Sequence, residues 1–313
     1  MTIDVACVGS PFLDLIFRGL PRLPVLGEEQ LARELVIVPG AMANVAYALN
    51  RLGLDAVVCA PVGRDPAGRL LAALMDEAGV RWVGQPADST PVSVALPVDG
   101  DRAFVTAGPP PTVDIETLAM LEPRAVVVDL PSLPLLHALP QPMPVVYGVV
   151  GDPEVQLLAG NLPASLTGLQ ALILNDREAR GLAGTPDREE AARHLASLGT
   201  TVVVTCGSGG AFAARPDGGL VHSEGSALEV DDPTGAGDLF TAAYVWSDLD
   251  GRSLDQRLSL ANRYASMSLA EATLGARASP AASDHRQKGV SLEQFQQELA
   301  EQGRSRSWAA ESS

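Results

Sequence analysis

Of the 22 basic residues in this 313-residue chain, only Lys288 is a lysine, and it stands in the polar C-terminal region. That scarcity excludes two common ways of handling phosphate. A Walker A loop closes on the lysine of GK[ST], and a protein kinase holds its nucleotide with a strand lysine, so neither design is available. Basic charge is scarce altogether, since 22 Lys and Arg stand against 38 Asp and Glu for a formal net charge of −16. A nucleic-acid surface needs a basic patch, and this balance argues against one. The three cysteines, Cys7, Cys59 and Cys206, each lie in an apolar run without CxxC spacing. They read as small core residues rather than metal ligands or disulfide partners. No 18-residue apolar segment occurs, and the start, MTIDVACVG, reaches Asp4 and Gly9 without a basic-then-apolar pattern. The expectation is a soluble, cytoplasmic protein with no membrane partner.

What the chain does have is apolar residues, 46% of the total, enough for a substantial core. Short runs rich in Val, Ile and Leu recur: VACVG (5–9), AVVCAPVG (56–63), AVVVDL (125–130), PVVYGVV (144–150), ALILND (171–176) and TVVVTCG (201–207). Continuous rather than alternating apolar strands imply burial on both faces, hence an α/β fold with a mostly parallel central sheet flanked by helices. Two helices are well marked. NVAYALNRLG ends at Gly53, and DPAGRLLAALMDEAG starts with Asp65 as cap and Pro66 at the first position and ends at Gly79. The segments 28–40 and 91–108 read as extended, the second as a hairpin turning at Asp99-Gly100. They form either a small β lid or an antiparallel extension of the main sheet. VSLEQFQQELA (290–300) reads as a last helix with a capping box from Ser291 and Gln294, and residues 303–313 as a frayed tail.

The stretch EVDDPTGAGDLFTAAYVW (229–246) carries the strongest chemical signal. Gly235, Ala236 and Gly237 precede an apolar helix, so their amides point out of a helix N-terminus and suit an anion. Asp238 falls in the first turn of that helix. It either stabilises the helix dipole or serves as a general base, taking a proton from an attacking hydroxyl while the neighbouring amides stabilise a transferred phosphoryl group.

Asp232-Pro233-Thr234-Gly235-Ala236-Gly237-Asp238 resembles the signature D-T-x-G-A-G-D of the ribokinase-like (PfkB) family of carbohydrate and nucleoside kinases, with Pro233 in place of the usual Thr. PGAMANVA (39–46) is similar to the N-terminal signature, a Gly-Gly pair followed by A-x-N-x-A, with Pro39 replacing the first glycine. Leu52-Gly53, Val62-Gly63, Asp65 and Gly68 follow in family order, and the matches span about residues 5–280. The resemblance implies one ribokinase-like domain over 1–302 with lid segments near 14–38 and 91–108. It implies that Asp14, Gly40 and Asn44 bind the acceptor, with Asp238 as base and Gly235, Ala236 and Gly237 as anion hole. Asn175 and Glu178 match the family's N-x-x-E, which organises the phosphates and the magnesium-bound water network; by themselves they read equally as a helix capping pair. Thr205, Gly207 and Gly210 match T-x-G-x-x-G near the nucleotide, and Asn262 falls near the adenine. In potassium-dependent members the ion's positions correspond to Asp232, Thr234, Ala270, Thr273, Gly275 and Ser279.

The implied activity is an ATP-dependent kinase, with Mg²⁺ and in some members K⁺, acting on a hydroxymethyl group of a sugar or nucleoside. GAMAN is nearer the fructokinase-type GGAxAN than the ribokinase-type GGKGAN. The alternatives are a nucleoside kinase of the same family and a non-catalytic member that binds sugar or nucleotide. A homodimer joined through the lid strands is common in the family.

Overall fold

The computed structural model describes residues 3–98, 101–108, 113–151, 155–156, 158, 162, 166–225 and 234–268. Nine strands form the main sheet: β1 (Val5–Val8), β4 (Ala56–Cys59), β5 (Arg81–Val83), β8 (Ala125–Asp129), β9 (Val145–Val149), β10 (Ala171–Asn175), β11 (Thr201–Thr205), β12 (Ala211–Ala214) and β13 (Leu220–Ser223). Their order is β13-β12-β11-β10-β9-β8-β1-β4-β5. All pairings from β5 to β11 are parallel, while β12 and β13 run antiparallel at one edge. Seven α-helices accompany them among the described residues: α1 (Met42–Arg51), α2 (Pro66–Glu77), α3 (Ile115–Met120), α4 (Asp176–Ala183), α5 (Arg188–Ala196), α6 (Ala236–Leu249) and α7 (Leu254–Ser268).

The sheet is covered on both faces, which is why its strands are apolar without alternation. Val5 and Cys7 of β1 belong to a core shared with α1, α2, α6 and α7. Ala6 and Val8 belong to the opposite core, with α3, α4 and α5. The cysteines follow the same rule: Cys7 is buried in the first core and Cys59 in the second.

The lid is a separate four-stranded sheet of order β3-β2-β6-β7, built from β2 (Pro11–Arg18), β3 (Glu34–Ala41), β6 (Val92–Val98) and β7 (Asp101–Ala107). This excludes the alternative of an extension of the main sheet. Two readings change. Asp14, which alone resembles a strand-end turn residue, lies in the middle of β2, because Gly9 turns the chain straight out of β1 into PFLDLIFR. Gly9 has φ +145°, and a Cβ there would fall 2.4 Å from an Asp129 carboxylate oxygen, so the turn needs glycine. The segment 28–40 is a strand only from Glu34 onward. Strands β6 and β7 form the expected antiparallel pair, Val98 opposite Asp101. The hairpin turn at 99–100, the helix expected at 290–300 and the tail 303–313 lie outside the described residues.

Lid and main domain are joined at Asp65. Its Oδ1 caps α2 by accepting the Gly68 amide at 2.9 Å and also accepts the Thr90 hydroxyl at 2.9 Å. Thr90 in turn accepts the Gly63 amide at 2.9 Å, two residues before β6 begins. Gly68 is obligatory, since a Cβ there would lie 1.9 Å from the Gly63 carbonyl. The family-type sequence G-x-D-x-x-G is therefore a structural clamp in this chain. Asp65→Ala removes the cap and strands the Thr90 hydroxyl; we expect a loss of about 1–3 kcal/mol in urea denaturation, above the ~1 kcal/mol of an isolated cap.

Candidate active site

Strand β3 leads into α1 through Pro39-Gly40-Ala41, and Ala41 is held at φ +50°, ψ −122° as the residue preceding the helix. Alanine pays about 1–3 kcal/mol for such a backbone, which persists only where the surroundings over-determine it. Asn44 follows as the third residue of α1 and is buried at 5% exposure. Asp238 is likewise the third residue of α6, whose cap, Gly235, takes the left-handed φ +85° that glycine permits. The first helical hydrogen bond of α6 runs from Leu239 N to Gly235 O at 3.0 Å. The amides of Ala236 and Gly237 precede it and point out of the helix end. A Cβ at Gly237 would meet nothing within 4 Å, so the space above this turn is open.

The two helix ends meet. Asn44 Nδ2 donates to Asp238 Oδ2 at 3.0 Å across 194 positions of sequence. Asn44 Oδ1 is buried with no hydrogen-bond partner, an acceptor held ready in the same cleft. Asp14 completes the group from β2. Its carboxylate lies against Gly40, where a Cβ would fall 1.9 Å from Asp14 Oδ2. Burial, and then the nearby Asp238 carboxylate, raise the Asp14 pKa from 3.8 to about 7. Asp14, Gly40 and Asn44, all buried, thus lie together with the half-buried Asp238 where the lid meets the main domain.

The expected nucleotide residues lie at the C-terminal ends of β10 and β11 and beside the antiparallel edge. Asn175 and Glu178 form a complete capping box on α4: Asn175 Oδ1 accepts the Glu178 amide at 2.8 Å, and Glu178 Oε2 accepts the Asn175 amide at 2.7 Å. Thr205 ends β11, and Gly207 (φ +57°) and Gly210 (φ +83°) shape the turn after it. A Cβ at Gly210 would sit 2.2 Å from the Ser223 carbonyl, so β12 and β13 are drawn together there. Asn262 of α7 donates to Ser223 Oγ at 3.0 Å and to the Ser223 carbonyl at 3.3 Å. No group of three or more His, Cys, Asp or Glu that could cage a metal occurs among the described residues. Of the potassium positions Thr234 is described; Asp232, Ala270, Thr273, Gly275 and Ser279, with Pro233, lie outside the described residues. Two lid residues without any sequence motif, Ser93 and Thr106, share the face of Asp14; only strand register reveals them.

Comparison with known proteins identifies the family. The family described as pfkB family carbohydrate kinase matches residues 3–281. The chain is similar to the ribokinase of Bacillus subtilis, 25% identical over 296 residues that cover 85% of this chain and 92% of that protein. It is also similar to the bifunctional protein HldE of Halorhodospira halophila, 31% identical over 248 residues, 72% of this chain and 50% of that protein. The chain spans about half the length of the HldE proteins it matches. In fold it resembles Arabidopsis thaliana ribokinase complexed with ribose and ATP, with a TM-score of 0.72, 22% identity, and coverage of 88% of this chain and 96% of that one. It likewise resembles phosphofructokinase-2 from Escherichia coli, with a TM-score of 0.68, 19% identity, and coverage of 97% and 100%.

The raised Asp14 pKa fixes a stability effect. The folded state binds this proton more tightly than the unfolded chain, so stability falls as pH rises from 3.8 to about 7 and is level above. Asp14→Asn should therefore stabilise the unliganded protein by on the order of 3 kcal/mol at about pH 8 and leave it unchanged near pH 4. Urea denaturation at the two pH values measures this, and equal stabilities at the higher pH would refute it.

Proposed function

The chain belongs to the pfkB family of carbohydrate kinases, and from that membership we propose that it transfers a phosphoryl group from ATP to a hydroxymethyl group of a sugar, in the manner of a fructokinase. The observation that carries this reading is the joining of Asn44 and Asp238 by a 3.0 Å hydrogen bond at an open helix N-terminus. Asp238 acts as general base on the acceptor hydroxyl. Asn44 fixes the orientation of that carboxylate by its amide hydrogen and offers Oδ1 to a second sugar hydroxyl. Asp14 accepts a further hydroxyl, and its packing on Gly40 sets how deeply the sugar enters. The amides of Gly235, Ala236 and Gly237 stabilise charge on the phosphoryl oxygens without any lysine, a contribution made of positioning and fixed dipoles.

Thr205, Gly207, Gly210 and Asn262 hold the nucleotide at the edge formed by β11, β12 and β13. Asn175 and Glu178 would orient the water around a phosphate-bound Mg²⁺, whose charge offsets that of the phosphates. A K⁺ beside Thr234 is part of the same reading. ADP release over a panel of sugars and nucleosides, in K⁺ and in Na⁺, tests substrate class and cation together. ADP release that no acceptor raises above background would favour a non-catalytic binding protein.

Asp238→Asn keeps the hydrogen bond geometry and removes the base. We expect kcat to fall by about 10²–10⁴-fold, with ATP binding by calorimetry retained. A variant near the wild-type rate would end the base assignment.

The lid supplies a reason for a homodimer. Its face opposite Asp14 carries Leu15, Phe17, Leu35, Ile37, Val94 and Val105, with Leu35 48% and Val105 65% exposed. A second copy related by a two-fold axis would cover this self-complementary apolar face. Light scattering should give twice the chain mass, and Val105→Asp should return it to one. A wild-type monomer at micromolar concentration would reject the dimer.

A further inference from the structure

The inner face of the lid carries a polar row that no motif marks. Asp14 on β2 stands opposite Ser93 on β6, and Ser93 opposite Thr106 on β7. Thr106 Oγ1 donates to Ser93 Oγ at 3.1 Å, so both hydroxyls lie on one face. Opposed residues on neighbouring strands point the same way, so that face is Asp14's. At a strand spacing of about 4.8 Å, Thr106 lies about 10 Å from Asp14.

The apolar positions nearest Asp14 and Ser93 on this face are closed, Ile16, Val36, Val38 and Ala95 being 2%, 3%, 4% and 0% exposed, while Phe104, opposite Ala95 toward the free end, is 45% exposed. Valine would be the ordinary residue at position 93, which is itself only 7% exposed. A hydroxyl so placed costs free energy unless it is hydrogen-bonded. Ser93 Oγ already accepts from Thr106, which leaves its own hydrogen to donate elsewhere, and Thr106, which is exposed, keeps an oxygen that can accept.

We infer that Ser93 and Thr106 are specificity-determining residues for the acceptor, and that the acceptor is a neutral polyhydroxy compound whose remote hydroxyls extend along the lid from Asp14 to this pair. The inference rests on the kinase reading above. A hydroxyl can donate to an Asp14 carboxylate and accept from Ser93 in the same pose. A phosphate or carboxylate has little or no proton to offer near neutral pH and would meet Asp238, and Asp14 whenever it is ionised, as a like charge. The Ser–Thr pair is therefore matched to hydroxyls rather than to an ionic group.

The test uses the full chain with neutral hexoses and hexitols and with the corresponding monophosphates. Calorimetry reads binding, and ADP release reads turnover. A neutral sugar should bind, and Ser93→Ala combined with Thr106→Val should weaken it and raise its KM about tenfold, the loss of roughly one to two neutral hydrogen bonds. The KM for ATP, kcat and melting temperature should stay unchanged, and Thr106→Ser, which keeps the hydroxyl, should restore affinity. Equal sugar affinity in wild type and the double variant, tighter binding of a monophosphate than of its neutral parent, or binding of none of the panel would overturn the inference. ADP release with a KM indifferent to the double variant removes this inference and leaves the kinase reading standing. Sugar binding weakened by the double variant, without any acceptor-dependent ADP release, removes the kinase reading and leaves the polar row as a sugar site.

Discussion

One hydrogen bond, from the Asn44 amide to the Asp238 carboxylate, holds together two helices that begin 194 residues apart in their functional groups. Each group is the third residue of its helix, so the partly positive N-termini of α1 and α6 converge on the same small volume. Asp14 and Asp238 repel each other there, and burial raises that cost. The aligned backbone dipoles and the Asn44 amide are what such a carboxylate pair needs to persist. Much of the surrounding fold serves this meeting. The strained Ala41 starts α1 without a gap after β3, and β1 turns into the lid within two residues.

The shortage of lysine acquires a meaning from this arrangement. In the proposed reading, positive potential in the cleft comes from oriented amides, which carry no titratable proton and occupy no side-chain volume. An anion cradle made this way tolerates acids close by, because the acids and the amides can face different parts of a bound pair of substrates. Asp238 faces an incoming hydroxyl in this scheme, while the amides of Ala236 and Gly237 face the phosphoryl group that this hydroxyl attacks.

Features that depend on local sequence or on burial were legible in the chain. The parallel sheet was readable because strands covered on both faces have no polar alternation, as Val5–Val8 and Ala125–Asp129 show. Asp65 with Pro66 marked the start of α2, because capping is a local chemistry of adjacent residues. The middle-strand position of Asp14 was hidden by the sharp turn at Gly9, whose necessity lies in a carboxylate 120 residues onward. The pair Asn175 and Glu178 supports two readings at once, because a capping box and a phosphate site draw on the same residue types. Ser93 and Thr106 were illegible for a different reason. Their proximity to Asp14 exists only in the pairing of β2 with β6 and of β6 with β7, and no spacing in the chain encodes a register between strands so far apart.

Gly40 and Asp14 occupy what is nearly a single site. The carboxylate fills the volume that any side chain at position 40 would need. A larger residue at 40 is therefore equivalent to evicting Asp14, and losing Asp14 relaxes the demand for glycine. In mutational terms the two positions are one: a path that removes the Asp14 carboxylate and fills the gap at 40 passes, in either order, through an intermediate that is cramped or hollow. The pairing of a bare glycine on β3 with an acid on β2 thus makes the shape and the polarity of the pocket a single property.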